Sequence, residues 1–364
     1  MAEANGSQRV ESSVPAVVEK PRVSVIVLGF NGRQYVDGCL ASLRNQRFDE
    51  PFEVIFVDNG SKDGTADEAA KHDWVRVERL DKNYGFCLGN NKGFERARGE
   101  YVIFLNQDVI VHRDWLKEMV AAMDLAPSIK AGHANIIHPW NPEFAAHEVE
   151  NPVYAAYSPE LSRLGFIEYR SASPQQQVVD TLFLSGASTI LKRDVLDEIG
   201  GYVFDPGMFL YGEDMDLGLR IRSAGYRTVA CTRAVVYHDH TLNDEVSLKA
   251  VVKVTRIIRN RLIAFWKSST WAEFSVLATI TMLGSPFNSG QFGLPLKKRI
   301  LYAFALVPPT MLAGLAFWVA VPRFAGRRRE ILNRRKLTAW WLPKTLLLDR
   351  KSLTKAPAAF NEAA

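Results

Sequence analysis

In a chain of 364 residues, four short polar segments carry side chains suited to chemistry. Asp58-Asn-Gly-Ser61 follows the apolar run Val54–Val57, Asn106-Gln-Asp108 follows Tyr101–Leu105, His238 follows Ala234–Tyr237, and Glu213-Asp214-Met-Asp216 opens a helical pattern that Gly225 ends. A carboxylate at the end of a buried strand is a hard oxygen ligand held at a sheet edge. Asp108 therefore suits Mg²⁺ or Mn²⁺, and a neutral imidazole at His238 suits Mn²⁺. The plainer alternatives are a helix N-cap for Asp108 and an ordinary surface histidine for His238. Glu213-Asp214 puts carboxylates in the first turn of a helix, where one can serve as a general base, or where they and Asp216 simply complement the helix dipole. Asp58 can accept a hydrogen bond from a ligand N–H or hydroxyl, or close an Asx turn over Ser61 and Asp63.

Such residues need a scaffold that gathers strand ends. Val23–Leu28, Glu53–Val57, Val75–Leu80 and Tyr101–Leu105 read as strands, with helical patterns through Leu40 and Leu43 and from Ala66 to Lys71. Strands alternating with helices predict an α/β fold with a mostly parallel central sheet flanked by helices. Ligands on such sheets gather beyond the strands' carboxyl ends, where Asp58 and Asp108 lie. Residues 135–177, rich in Pro, Asn, His and Tyr and without periodicity, read as a long functional loop or lid. An extended Thr181–Leu191, a helix from Arg193 to Ile199, a helix from Glu213 to Ala224 and a strand Thr228–Tyr237 complete this part.

Taken in order, the motifs resemble the family 2 glycosyltransferases of GT-A fold, in particular their rhamnosyltransferase-like, non-processive branch. The resemblance is carried over residues 23–240 by Val57-Asp-Asn-Gly-Ser61, Asn83-Tyr-Gly85 with Asn90, Leu105-Asn-Gln-Asp108 and Tyr211-Gly-Glu-Asp-Met-Asp-Leu217. It implies a GT-A nucleotide-diphospho-sugar transferase fold and inverting, metal-dependent transfer of a sugar from a nucleotide-diphosphate sugar donor to an acceptor hydroxyl on a glycan or lipid-linked glycan. It further implies nucleotide-sugar contacts at Phe30, Asn31, Asp58, Asn83, Gly85, Asn90, Asn106 and Gln107, a metal site at Asp108 and His238, Asp214 as general base with Glu213 positioning, and a donor-sugar or acceptor region at Gly186 and Arg220. Asn106 replaces the first acid of the family's DxD motif, so Mg²⁺ or Mn²⁺ would lean on Asp108 and a second ligand elsewhere. The chemistry agrees, because a departing diphosphate gathers negative charge that a divalent cation stabilises. For Asn83, Gly85 and Asn90 an ordinary turn remains an open alternative. The processive signature QxxRW is absent after Asp214, which implies one sugar per acceptor rather than a polymer. Competing readings are a catalytically silent membrane-bound scaffold that binds a nucleotide or partner, and a sugar-nucleotide pyrophosphorylase, whose Gly-rich phosphate loop is missing here. GxGxxG and GxxxxGK[ST] are absent as well.

Composition bounds the rest. With 47% hydrophobic and 23% charged residues the chain can bury a large core, and a net charge of +5 is too small to indicate nucleic acid as a partner. Three cysteines without a CxxC pair fit reduced thiols in the cytosol. The expected division is a disordered tail over residues 1–20, a catalytic domain over 21–245 and a helical, basic and apolar membrane-associating region over 246–364. In that region Val251, Val254, Ile258, Leu262 and Phe265 share a helical face opposite Lys253, Arg256, Asn260 and Lys267, the pattern of a helix lying on lipid or of one packed on the catalytic core with a solvated basic face. Ile300–Pro322 runs 23 residues without a charge, enough to cross ~30 Å of hydrocarbon, although Pro308-Pro309 lets a re-entrant hairpin or interfacial helix pair compete with a true crossing. Basic flanks put both ends on the cytoplasmic side of the membrane.

Overall fold

The computed structural model describes residues 20–137, 156–161, 167–172, 176–239, 248–286 and 296–347. The N-terminal tail up to residue 19 and the boundary near residue 245 fall outside the described residues. The chain opens as its periodicity requires, with β1 (Val23–Gly29), α1 (Arg33–Arg44), β2 (Phe52–Asp58), α2 (Thr65–Ala69), β3 (Arg76–Arg79), α3 (Gly85–Arg96) and β4 (Tyr101–Asn106). These strands pair in the order β3-β2-β1-β4, all parallel. Successive side chains leave opposite faces of the sheet, and over β1, β2 and β4 both faces are covered, so most of their residues are apolar, whereas the edge strand β3 is Arg-Val-Glu-Arg. Val25, Val27, Phe56 and Ile103 join the core that includes α1, while Ile26, Val57 and Phe104 join the core that includes Cys87 of α3.

The second half departs from the expected parallel sheet. It contains β5 (Val109–Val111), α4 (Trp115–Asp124), β6 (Ile129–Ile137), β7 (Ala156–Leu161), β8 (Ile167–Ala172), β9 (Val178–Asp180), β10 (Ser188–Lys192), a 3-10 turn (Arg193–Glu198), α5 (Glu213–Ser223) and β11 (Arg227–His238). β10 runs antiparallel between β4 and β6, β6 is parallel to β11, and β5 and β9 are antiparallel to β11. The sheet is therefore mixed. Part of the expected lid is also ordered backbone, because β7 and β8 form an antiparallel pair. The extended reading of Thr181–Leu191 holds only from Ser188, and the residues before it turn toward α5. Cys39, Cys87 and Cys231 are free and buried.

Four helices follow: α6 (Leu248–Ser268), α7 (Trp271–Gly284), α8 (Leu296–Asn333) and α9 (Trp341–Leu347). Two expectations are corrected here. The polar side of α6 does not lie free on lipid, because Asn260 and Lys267 are fully buried against the catalytic half. The prolines do not end α8, which continues for 38 residues through Pro308, Pro309 and Pro322. Neighbouring groups steady it at that point: the Thr310 hydroxyl donates to the Leu306 carbonyl at 2.7 Å, and Thr255 of α6 donates to the Pro309 carbonyl at 3.4 Å. One face of α8 buries Ala313, Phe317 and Phe324 in the core shared with α3, α5 and α6. The other exposes Phe304, Val307, Met311, Leu312, Leu315, Trp318 and Val319. Among the described residues, Ala303–Asn333 is the one helix long and apolar enough to cross a membrane by length and composition.

Candidate active site

The loops after β1 and β2 and the start of α3 build one edge of the site. Asn31 sits in the left-handed region (φ 45°). Its N–H donates to Ser61 Oγ (2.9 Å) and its side-chain oxygen accepts from the Lys62 N–H (2.9 Å), so the two loops are tied together. Phe30, beside it, is partly exposed, and its carbonyl accepts from Gln107 Nε2 at 3.1 Å. Gln107 Oε1 is buried without a partner. Gly29 and Gly32 leave the room that Gln107 occupies, since a Cβ on Gly32 would lie 2.1 Å from Gln107 Nε2. Asp58 does close the Asx turn, accepting from the Ser61 N–H at 3.2 Å through Oδ2, but Oδ1 remains buried without a partner. Asp58 thus keeps an acceptor for a ligand donor.

Asn83 orders its own turn, accepting from the Gly85 N–H (2.8 Å) and from Asn59 Nδ2 (3.1 Å). Gly85 is required twice over, by φ 79° and by the Phe209 ring, which a Cβ would approach to 2.5 Å. Asn90 is buried, donating to the Phe86 carbonyl, with its Oδ1 unpartnered.

Pairing of β5 with β11 sets Val109 opposite His238. That register brings Asp108 Oδ1 within 3.3 Å of His238 Nε2. Next to them the Asp239 N–H donates to the Asp108 carbonyl (3.0 Å), and Asp239 Oδ2 accepts from the Tyr35 hydroxyl (2.7 Å). One carboxylate and one imidazole at a strand end, both partly exposed, fit a hard divalent cation that takes its remaining oxygens from phosphate and water. Among the described residues no group of three or more His, Cys, Asp and Glu side chains that could hold a metal gathers, at this strand end or elsewhere.

Glu213 and Asp214 lead α5 after Gly212, which has φ 81°. Asp214 Oδ1 accepts from the Met215 N–H (2.7 Å) and Oδ2 from the Gly186 N–H (3.2 Å), each oxygen keeping a second lone pair. The Asn106 N–H donates to the Ala187 carbonyl at 3.1 Å, so the turn that holds Asp214 is bonded to the segment that ends in Asp108. Gly186 therefore lies beside Asp214. Burial, then the charge of Asp214, pushes Glu213 up to about 8, and its Oε2 is buried without a partner. Burial also raises Asp214, opposed by its two backbone N–H bonds. Burial thus pushes both carboxyls of the pair upward, and the neighbouring charge of Asp214 raises Glu213 further.

Arg220 is corrected. It lies 1% exposed inside α5, donating to Asp216 Oδ2 (2.9 Å) and to the carbonyls of Ile199 (3.1 Å), Tyr202 (3.0 Å) and Val203. Its guanidinium is thus occupied within the protein and braces the helix. Sequence reasoning missed Asn59, whose Oδ1 accepts from the Tyr84 N–H and whose Nδ2 reaches the Gly85 carbonyl, as well as Tyr35 and Asp239. The available signals were the asparagine inside Asp58-Asn-Gly-Ser61 and the acid directly after His238.

Comparison with known proteins agrees with this geometry. Residues 24–200 match the model of "Glycosyl transferase family 2". The chain is 25% identical over 246 residues to the uncharacterized glycosyltransferase YfnE of Bacillus subtilis, covering 56% of this chain and 61% of that protein. It is 25% identical over 223 residues to the O-antigen chain rhamnosyltransferase RfbN of Salmonella typhimurium, covering 60% of this chain and 67% of that one. The fold is similar to that of GalNAc-T7, solved with UDP, GalNAc and Mn²⁺, with a TM-score of 0.58 at 15% identity over 93% of this chain and 58% of that one. The chain thus spans about three fifths of the length of YfnE. By motif order, sheet and family model alike, residues 24–200 are similar to glycosyltransferase family 2.

Proposed function

We propose that the protein transfers one sugar from a nucleotide-diphosphate sugar to an acceptor hydroxyl, with inversion, at the cytoplasmic face of a membrane. The observation that carries the reading is the convergence of Asp108 and His238 with the Gly186–Asp214 turn on one side of the sheet, joined through the Asn106–Ala187 bond. Asp58, Asn31 and the Asn83–Asn90 segment offer acceptors and backbone for the nucleoside. Asp108 and His238 would hold Mg²⁺ or Mn²⁺, which when bound offsets charge on the diphosphate. Asp214 accepts the proton of the acceptor hydroxyl as that oxygen attacks the anomeric carbon, while neutral Glu213 keeps a second negative charge away from it. The Mn²⁺ and UDP of GalNAc-T7 and the rhamnosyl transfer of RfbN are compatible precedents. The exposed apolar face of α8 supports a membrane location and a lipid-linked acceptor. The test is a panel of UDP-, GDP- and dTDP-sugars incubated with full-length protein and membranes in Mg²⁺ or Mn²⁺, following nucleotide diphosphate release. One donor should be consumed in an acceptor-dependent way, and full activity in excess EDTA would remove the metal from the scheme.

A further inference from the structure

Basic side chains gather where α6, α8 and residues 207–212 meet. Lys253, Arg256 and Arg259 recur at three-residue intervals along α6, and on α8 Arg323 precedes Phe324, whose ring packs against Gly207. Among the described residues no carboxylate lies within ion-pair distance of these four, whereas Arg327, one turn beyond Arg323, is paired with Asp205. Burial, followed by the charges of Arg256 and then Arg323, holds the Arg259 guanidinium below its ordinary range. A fold that gathers like charges without a counter-charge leaves a site that an anion completes.

This cluster is bonded directly to the catalytic loop. Arg256 lies over the Phe209 ring (5.2 Å) and Lys253 over Tyr211 (5.7 Å). Arg259 donates twice to Asn260 Oδ1 (2.9 and 2.7 Å), and Asn260 Nδ2 donates to the carbonyls of Met208 (3.1 Å), Leu210 (3.1 Å) and Tyr211 (2.6 Å). Those bonds hold Phe209 (φ 67°) and Tyr211 (φ 71°) in the left-handed region immediately before Glu213 and Asp214. Backbone held there by surrounding contacts is characteristic of ligand clamps. The apolar face of α8 begins at the same level, because the Thr255 hydroxyl reaches the Pro309 carbonyl, between exposed Phe304 and Met311.

We propose that Arg256, Arg259 and Arg323, with Lys253 at the rim, bind the phosphate or diphosphate of a lipid-borne acceptor whose hydrocarbon lies along the exposed face of α8. The proposal rests on the transfer reading above and names its acceptor class. Planar guanidinium groups bind phosphate oxygens in pairs, which favours phosphate over a carboxylate-free glycan at this position. Anchoring that group beside the loop that carries Asp214 presents the acceptor's sugar hydroxyl to the base.

The test uses full-length protein in mild detergent with EDTA, and farnesyl diphosphate as probe, measured calorimetrically against farnesol. Wild type should bind farnesyl diphosphate saturably and farnesol far more weakly. Arg323→Gln should weaken binding about 10-fold and Arg256→Gln/Arg323→Gln about 100-fold, the size expected for lost charged hydrogen bonds. Arg323→Lys should recover part of the loss. Arg329→Gln, an exposed arginine further along α8, should leave binding unchanged, and attachment to phosphatidylglycerol vesicles should persist in every variant. Thermal unfolding and Mn²⁺-dependent nucleotide diphosphate binding of Arg323→Gln report an intact fold. Equal losses in Arg329→Gln, parallel loss of vesicle attachment, or equal affinity for farnesol would overturn the site in favour of diffuse surface charge or simple apolar contact. Donor turnover with unaltered farnesyl diphosphate binding in the double variant removes the site and leaves the transfer reading standing. Arg323-dependent farnesyl diphosphate binding without any donor binding does the reverse.

Discussion

The parallel half of the sheet and the helical half of the molecule hold polar groups at the edge of an apolar core by opposite means. Around β1, β2 and α3, polar side chains bond to nearby backbone, as with Asp58 and Ser61, Asn83 and Gly85, or Asp63 and Thr65. In the helical half, charges are sequestered and paired across the sequence. Lys267 Nζ lies 2.7 Å from both Asp205 Oδ2 and Asp216 Oδ1, Arg220 takes the other oxygen of Asp216, and Arg327 reaches Asp205 from 122 residues away. Local turns make loops that a ligand can adjust. A buried ion network fixes a helix instead, and Asp216 and Arg220 belong to the helix that begins with Asp214. Such networks contribute little net stability compared with apolar residues of the same shape, so this one is best understood as aligning α5 between α6 and α8.

The contrast breaks most visibly at Lys267. Lys267→Met strips an ion pair from two carboxylates that have no exposed surface, and is expected to cost about 3–5 kcal/mol. Thermal unfolding should register it as a large fall in Tm. A shift no larger than that of an exposed control such as Arg334→Gln would mean that Arg220 and Arg327 suffice and that the network does not fix α5. Because the helical region supplies these counter-charges, it is structurally part of the catalytic half, and its removal should unfold α5 rather than release an intact domain.

Next in size is Asp214→Asn, which should lower kcat by about 10² or more while donor binding stays close to wild type, as expected for loss of a general base held by backbone N–H groups. Equal loss of donor affinity would make Asp214 a binding residue. On the other side of the comparison, Asn59→Ala removes three bonds that shape residues 83–85. It should cost about 1–2 kcal/mol and weaken donor binding more than it lowers kcat. A pure kcat effect would show that the donor loops are not locally organised after all.

The same contrast explains what the sequence discloses. Strand runs with carboxylates or turn residues directly after them, such as Val54–Asp58 or Tyr101–Asp108, are local patterns, and so were the helix start at Glu213 and the strand ending at His238. The mixed sheet was not legible, because the direction of β10 depends on which strands it finds across space, not on its own alternation. Lys267 and Asn260 looked like the solvated face of an amphipathic helix, since their partners Asp205 and the Met208–Tyr211 carbonyls lie about fifty or sixty residues earlier. Arg220 carried a motif position yet serves packing, a distinction only its buried carbonyl partners make. Pro308-Pro309 signals a break in isolation, whereas a packed neighbour such as α6 keeps the helix continuous.

The smallest expected effect concerns pH, and it distinguishes the two halves by titration. Glu213 is held neutral by burial, with its ionisation displaced from the usual 4.5 up to about 8. Below pH 4.5 the residue is protonated whether the chain is folded or not, and it contributes nothing to the pH dependence. Between those values the unfolded chain releases its proton while the folded chain keeps it, so the folded state binds more protons and stability falls as pH rises. Above about 8 both states are ionised and the slope vanishes, leaving the full penalty in place. Glu213→Gln keeps the shape of the neutral acid and removes the titration. The variant should therefore gain a few degrees of Tm over the parent at pH 8, and the gain should shrink to nothing near pH 4.5, because the parent no longer carries a buried charge there. Depressed carboxylates elsewhere, such as Glu53 held by Arg98 and Ser24, give a slope of the opposite sign at lower pH, so the Glu213 contribution is read from the difference between the two proteins and not from either curve alone. A constant Tm difference from pH 4.5 to pH 8 would show that Glu213 is ionised in the folded protein throughout, and Asp214 would then share its site with a second negative charge.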